Sequence, residues 1–481
     1  MNDSGKSLGH HCGVVGIYSK EKINIPERLF YPLFSLQHRG QESAGIAYRK
    51  QGQTVVYKDL GMVPAVLGRY LSESRASNIG IGHVRYSTNG GNRIENAQPI
   101  HVTCNKGQIA LAHNGNISNV DELKSRLFEE GSIFQTTSDT ELILHLISRT
   151  PEPDFMSALT KTLLKLEGAF SMVMIYEDSL IAIRDPWGFR PLYIGTKDDM
   201  TVIASETCAL DILKITEFRS VRPGEIITVD DRGVTSSFFA PDRRISQCVF
   251  ELIYFARPDS QVFDQSVHMM RKRMGAALAS IDTVKGDVVV PVPDSGNSAA
   301  LGYATASGVP FEFGLTRNHY AGRSFIMPTT AQRELAVRIK LHPVREAIEG
   351  KRIILIDDSL VRGTTSRLLV QLLKDAGARE VHLRLCSPEI HWPCFFGIDI
   401  PTRTELISNR LSPEEIAKYI GADSVMFLPI EELERCLTDA ENYCYACFNG
   451  KYPLPVRIPP LTEPSAPDQV RPTGTDNGSS N

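Results

Sequence analysis

Arg352–Ile353–Ile354–Leu355–Ile356–Asp357–Asp358–Ser359–Leu360–Val361–Arg362–Gly363–Thr364–Thr365 sets an apolar run directly before two adjacent carboxylates and a Gly-containing loop. A short apolar run without polar alternation reads as a strand buried on both faces, the kind found in parallel sheets. After the loop comes Arg367–Ala376, where Leu368, Leu369, Leu372, Leu373 and Ala376 recur at helical spacing before Gly377. The segment is therefore a strand–loop–helix unit. A second strand of the same kind, Val288–Pro291, lies upstream, and from about Asp242 helices alternate with such strands. This pattern predicts an α/β domain with a parallel sheet.

Toward the N-terminus the pattern changes. Cys12–Ile17, Gln108–Ala112, Phe170–Tyr176 and Leu180–Ile183 are short apolar segments separated by Gly, Asn and Asp, as in antiparallel sheets. Pro26–Gln37, Val120–Leu127 and Thr140–Ser148 read as helices, the last with Asp139 as its cap. This half is expected to be α+β, with helices packed on sheets.

A chain of 481 residues exceeds one ordinary core, and two large domains account for it. Apolar residues at 42% and charged residues at 22% belong to a globular protein. The net charge of −4 gives no general attraction to nucleic acid or to an anionic membrane, so an anionic substrate must meet local positive charge. No apolar run reaches the length of a membrane span, and Met1–His11 lacks the apolar stretch of a secretory signal, so a cytoplasmic location is expected. Nine cysteines in such a chain point to reactive or metal-binding thiols rather than a disulfide framework. Leu454–Asn481, rich in Pro, Gly, Ser, Thr and Asp, reads as a disordered tail.

His11–Cys12–Gly13–Val14–Val15–Gly16–Ile17 is followed by Phe34–Ser35–Leu36–Gln37–His38–Arg39–Gly40–Gln41. Further on come Gly82–His83–Val84–Arg85–Tyr86–Ser87–Thr88, Ala112–His113–Asn114–Gly115–Asn116 and Thr137–Ser138–Asp139–Thr140. Singly these are bland: a cysteine in an apolar strand is ordinarily a small buried hydrophobe, and Asn-Gly is ordinarily a hairpin turn. In this order they resemble the N-terminal-nucleophile (Ntn) glutaminase domain of the glutamine amidotransferases, an αββα sandwich. The resemblance implies that the Cys12 thiolate attacks the side-chain amide of glutamine and that the α-amino group of Cys12 is the base. A peptide nitrogen has no usable basicity, so residues 1–11 are expected to be a propeptide. The resemblance also assigns the Asn114 amide and the Gly115 N–H to the oxyanion, Arg85 to the α-carboxylate of glutamine and Asp139 to its α-ammonium.

The segment around Asp357 resembles the PRPP-binding signature of the type I phosphoribosyltransferases, where PRPP is 5-phosphoribosyl-1-pyrophosphate. The resemblance places Asp357 and Asp358 at the ribose and its metal. Ser359, Val361, Arg362, Gly363, Thr364 and Thr365 would cradle the 5′-phosphate at the start of the next helix. Val290–Pro291–Val292–Pro293–Asp294–Ser295–Gly296–Asn297–Ser298 is similar to the family's pyrophosphate loop, which assigns Ser295 with Asp357 and Asp358 to one Mg²⁺ per subunit. Arg317–Asn318–His319–Tyr320–Ala321–Gly322–Arg323 resembles the lid, with Arg323 on the leaving pyrophosphate, and Tyr254 falls in a segment similar to the wall of an ammonia channel.

Cys444–Tyr445–Ala446–Cys447, with Cys248 and Cys394, matches a cluster-bearing branch in which four cysteines hold one [4Fe–4S] cluster per subunit. Zinc is the rival for such a set. Cys104, Cys208, Cys386 and Cys436 are left as ordinary buried thiols.

Taken together, residues 12–453 resemble the amidophosphoribosyltransferase family. The implied division is a propeptide 1–11, a glutaminase domain 12–241, a phosphoribosyltransferase domain 242–453 with the cluster segment, and a tail 454–481. The implied reaction turns glutamine and PRPP into 5-phosphoribosylamine, glutamate and pyrophosphate, the opening step of purine synthesis. The implied assembly is a homotetramer inhibited by purine nucleotides, with no nucleic-acid or membrane partner. A hexosamine- or asparagine-forming amidotransferase would have no use for Asp357–Thr365. A nucleotide-sensing regulator on the phosphoribosyltransferase fold would have none for Cys12 and its partners.

Overall fold

The fold is seen in a computed structural model that describes residues 12–71, 75–86, 93–240, 244–320, 338–400 and 402–458. The expected propeptide, Ser87, Thr88, Arg323 and the chain from residue 459 lie outside the described residues.

The first half is built as four layers, and side-chain alternation along the strands decides what each layer touches. One antiparallel sheet has seven strands in the order Glu217–Ser220, Tyr193–Lys197, Met200–Ala204, Gly13–Asn24, Ala76–Arg85, Ser43–Lys50 and Gln53–Leu60. The other has six, in the order Gly233–Phe238, Glu225–Asp230, Ser179–Arg184, Gly168–Tyr176, Gly107–Ile117 and Ile100–Cys104. Val14 and Ile81 of the first sheet meet Ala112 and Val173 of the second in a shared apolar layer. The alternate residues Val15 and Ile17 turn outward to Ile25, Leu29 and Leu33 of helix Ile25–Ser35. On the far side Phe170, Met172 and Met174 turn outward to helices Asp139–Arg149 and Phe155–Leu163. The result is the expected αββα sandwich.

In the second half Val288–Pro291, Arg352–Asp357, Glu380–Leu385 and Ser424–Phe427 form a parallel sheet in that order. Val289, Ile354 and Ile356 face helices Val267–Ile281 and Asn297–Ser307. Val290, Ile353 and Leu355 face helices Thr364–Asp375 and Pro413–Ile420. Covering on both faces is why Val288–Pro291 and Ile353–Ile356 carry no polar alternation.

Several details differ from expectation. The cap of helix Asp139–Arg149 is Ser138, whose side chain accepts from Thr140 N at 3.2 Å, and Asp139 is the first helical residue. The helix after Asp358 begins at Thr364, ahead of its leucine repeat, because Gly363 turns the chain at φ 78°. Asn114–Gly115, a dipeptide that taken singly favours a hairpin turn, lies inside strand Gly107–Ile117, opposite Ser171 and Phe170. Leu454 is buried against Trp187, Phe189 and Phe396, so an ordered segment continues past the expected start of the tail. Cys104 is half-buried at a strand end rather than enclosed. Among the described residues no helix is long and apolar enough to cross a membrane.

Candidate active sites

Cys12 immediately precedes the central strand, and the pairing of Gly13 with Val84 sets it beside Arg85 and Tyr86. Its Sγ lies 3.7 Å from the Tyr86 carbonyl. Burial pushes the thiol up; the Arg85 charge opposes this, and the Asp139 and Glu42 charges add to it. Cys12 is therefore held as a thiol at neutral pH and needs a base before it can attack.

Asn114 is fully buried, and among the described residues neither its side-chain oxygen nor its nitrogen has a partner. A buried amide without partners costs about 1–3 kcal/mol per unsatisfied group, and such atoms mark a place where something else binds. Gly115 beside it has φ 151°, and a Cβ there would stand 1.9 Å from the Ala169 carbonyl oxygen. Only glycine lets the strand continue at this point.

Asp139 turns its carboxylate back from the helix start. It accepts from Ile117 N at 3.2 Å and lies 3.4 Å from His113 Nδ1. Burial alone would raise Asp139, but His113 and the N–H groups of Ile117 and Thr140 outweigh it and hold the carboxyl below its ordinary value. His83 Nε2 sits 3.1 Å from the His113 carbonyl. Burial pushes His83 down to about 3, so the ring is neutral with its proton on Nε2 facing that oxygen.

At the carboxyl end of strand Arg352–Asp357, Asp357 and Asp358 are both buried. Burial and the neighbouring charge of Asp358 raise Asp357 well above the carboxylate range; Asp358 is also raised by burial, against hydrogen bonds from Ser295 and Ser359 and the charge of Arg271. The Asp358 N–H donates to Asp357 Oδ1 at 2.9 Å, and the Ser359 hydroxyl donates to Asp358 Oδ1 at 2.5 Å. The fold thus brings Ser295 of the upstream loop within hydrogen-bonding reach of Asp358. Arg362 turns its guanidinium to Glu405, with Nη2 to Oε2 at 2.7 Å. Arg317 pairs with Asp294 at 2.6 Å.

Cys248 and Cys444 stand opposite each other in a short parallel ladder, and Cys394 and Cys447 are close enough for the four thiols to act on one another electrostatically. Burial pushes Cys248 up to about 12. All nine cysteines are free. Among the described residues no three His, Cys, Asp or Glu side chains are arranged as a metal-binding set, so the cysteines are neighbours without being gathered around one point.

The structure also adds residues that had no role in the sequence reading. Arg39 donates from Nε to the Cys12 carbonyl at 3.1 Å. It is buried among Glu206, Glu251 and, through Glu251, Arg190. Arg39 was visible only as part of the Gln37–Gln41 motif. No local pattern announces a buried charge lattice whose members lie up to 212 positions apart.

Residues 83–211 match the family model described as a glutamine amidotransferase domain. The chain is 48% identical to amidophosphoribosyltransferase 3, chloroplastic, of Arabidopsis thaliana over 94% of its own length and 85% of the relative's. It is 46% identical to the amidophosphoribosyltransferase of Methanocaldococcus jannaschii, covering 93% and 98% of the two chains. The chain belongs to the amidophosphoribosyltransferase family. Its fold superposes on the glutamine PRPP amidotransferase of Bacillus subtilis, complexed with ADP and GMP, with a TM-score of 0.87 at 45% identity, covering 93% and 98% of the two chains. An amidophosphoribosyltransferase carries out the first step of purine biosynthesis, and the alternative of a non-catalytic regulator is not favoured.

Proposed function

We propose that Cys12 attacks the side-chain amide of glutamine, that the released ammonia passes Tyr254 into the second domain, and that it displaces pyrophosphate from PRPP held at Asp357 and the loop after it. The observation that carries this reading is the buried amide of Asn114, without a partner among the described residues, in the half of the fold that holds Cys12. With the Gly115 N–H it is suited to receive the oxyanion of the tetrahedral intermediate. Arg85 takes the α-carboxylate of glutamine and Asp139 its α-ammonium. The base is the α-amine of Cys12, freed by removal of residues 1–11; at a pKa of about 8 it can accept the thiol proton and return it to ammonia. Intact mass and N-terminal sequencing of active protein should find Cys12 first.

In the second domain Ser295, Asp357 and Asp358 offer oxygen ligands of the kind Mg²⁺ prefers. The mutual repulsion of the two carboxylates fits a site meant to receive a cation. Bound there, one Mg²⁺ per subunit would neutralise charge on the departing pyrophosphate. Ser359, Val361, Gly363, Thr364 and Thr365 hold the 5′-phosphate at the helix start, and Arg362 joins them through its N–H because Glu405 occupies its guanidinium. Arg323 faces the pyrophosphate. Cys248, Cys394, Cys444 and Cys447 come from three stretches of chain, with Cys248 and Cys447 buried and Cys394 and Cys444 half-buried, and once drawn around one point they would supply the four thiolates of a [4Fe–4S] cluster; iron and acid-labile sulfide, without zinc, are the expected finding in anaerobically purified protein. The nucleotides in the Bacillus subtilis structure lead us to infer that purine nucleotides bind and inhibit this chain as well. We infer a cytoplasmic homotetramer.

Purified protein incubated with glutamine, PRPP and Mg²⁺ should form glutamate and pyrophosphate together in equal amounts. Glutamate without pyrophosphate, or neither, would sink the reading.

A further inference from the structure

The π-helical turn Glu251–Phe255 lies between the two sites and is held from both sides by buried arginines. At its start, Glu251 Oε1 and Oε2 accept from Arg39 Nη2 at 2.8 and 2.9 Å. The same Arg39 donates through Nε to the backbone carbonyl of Cys12. Beyond the turn, Arg271 of helix Val267–Ile281 donates to the carbonyls of Leu252 at 2.9 Å and Ala256 at 2.8 Å. The Arg271 guanidinium in turn feels the charge of Asp358. Arg39, Arg190, Arg271, Glu206 and Glu251 are all buried, so none of them can exchange its partners for water. Arg190 completes the lattice, donating to Glu251 Oε1 at 3.1 Å and to the Phe396 carbonyl.

A buried guanidinium whose three nitrogens each have a fixed acceptor, here both oxygens of Glu251 on Nη2, Glu206 on Nη1 and the Cys12 carbonyl on Nε, is fixed in orientation as well as in charge. Here the group it orients is the backbone of the nucleophile itself. We propose that Glu251 is a positioning residue for glutamine hydrolysis: through Arg39 it fixes the Cys12 carbonyl, and the turn it begins, fastened to helix Val267–Ile281 by Arg271, sets the attack geometry of the Cys12 thiol. The inference rests on the reading of Cys12 as the nucleophile. A small misplacement of an attacking atom lowers the rate of the chemical step without loosening substrate held by other groups, here Arg85 and Asp139.

The test is steady-state kinetics of Glu251→Gln in the full chain, with hydrolysis of glutamine and synthesis from added ammonia measured separately. The expected result is a fall of about tenfold or more in kcat for hydrolysis, with the KM for glutamine and the ammonia-dependent rate both within about twofold of the parent. An unchanged kcat for hydrolysis overturns the proposal. Because the substitution leaves the two arginines short of one negative charge, Arg190→Gln combined with Glu251→Gln is measured alongside as a charge-balanced variant. If the single variant folds poorly, a double variant with normal ammonia-dependent synthesis and still impaired hydrolysis supports positioning. A double variant that recovers both activities, or two activities that fall together in both variants, overturns it. A parent protein that does not hydrolyse glutamine, or Cys12→Ala that still does, would instead refute the assignment of the nucleophile.

Discussion

Around Cys12 the charged groups arrive already balanced, since His113 draws Asp139 below its ordinary value and burial keeps His83 neutral. The binding capacity that remains there is a neutral amide with no partner among the described residues, Asn114. Around Asp357 the reverse holds. Two buried carboxylates repel each other, and burial together with that repulsion raises Asp357 well above the usual range. The charges of the first site are balanced within the fold, whereas the second is electrostatically incomplete until positive charge is supplied.

The sharpest way to break this contrast is to remove the reacting group of each site. Cys12→Ala is expected to reduce glutamine-dependent synthesis by more than about 10⁴-fold while ammonia-dependent synthesis stays within about twofold. Asp357→Asn with Asp358→Asn should abolish both. The same double substitution should raise the Tm of metal-free protein at neutral pH by a few degrees. The sign follows from linkage: a carboxyl whose folded pKa lies above its unfolded value opposes folding once it must ionise, and asparagine removes that demand. A lowered Tm in calorimetry would mean that the pair is stabilising and that the contrast is misdrawn.

Asn114→Ala tests the other side. Loss of one oxyanion donor should lower kcat for hydrolysis by about 10²–10³-fold. Because the Asn114 amide has no partner among the described residues, thermal stability should not fall with it. Joint measurement of kcat and Tm distinguishes a group kept for the reaction from one kept for the fold.

Glu206 supplies the intermediate case, a buried charge that is fully paired. Burial by itself would raise its carboxyl, but the charges of His38 and Arg39 outweigh that and hold it far below the ordinary value. Its stabilisation is therefore present above the unfolded pKa of about 4.3 and is lost as pH falls toward the folded value. Glu206→Gln should cost about 3–5 kcal/mol at pH 7, by leaving Arg39 short of a partner. The difference from the parent should shrink below about pH 4, and Tm measured across pH checks it. The smallest effect belongs to Ser138→Ala, which removes the cap just before Asp139 and should cost about 1 kcal/mol in denaturant unfolding.

Sequence alone determined whatever depends on neighbouring residues. The apolar run Ile353–Ile356 before Asp357 could only be a strand covered on both faces, and the Leu368–Leu373 repeat could only be the helix covering it. The order of the motifs around Cys12, Arg85, Asn114 and Asp139 was enough to name the chemistry of the first half. Tertiary structure decided what depends on distant partners and on small differences in reach. Ser138 rather than Asp139 caps its helix because the Asp139 carboxylate is claimed by Ile117 and His113, residues of another strand. Asn114–Gly115 runs on as strand because Ser171 and Phe170 offer it a ladder, where the dipeptide alone favours a turn. Leu454 belongs to the core because Trp187, Phe189 and Phe396 come to meet it. The lattice of Arg39, Arg190, Glu206 and Glu251 could not be read at all. A charge in sequence is exposed by default, and only the closing of two domains over it makes burial, and hence exact pairing, obligatory.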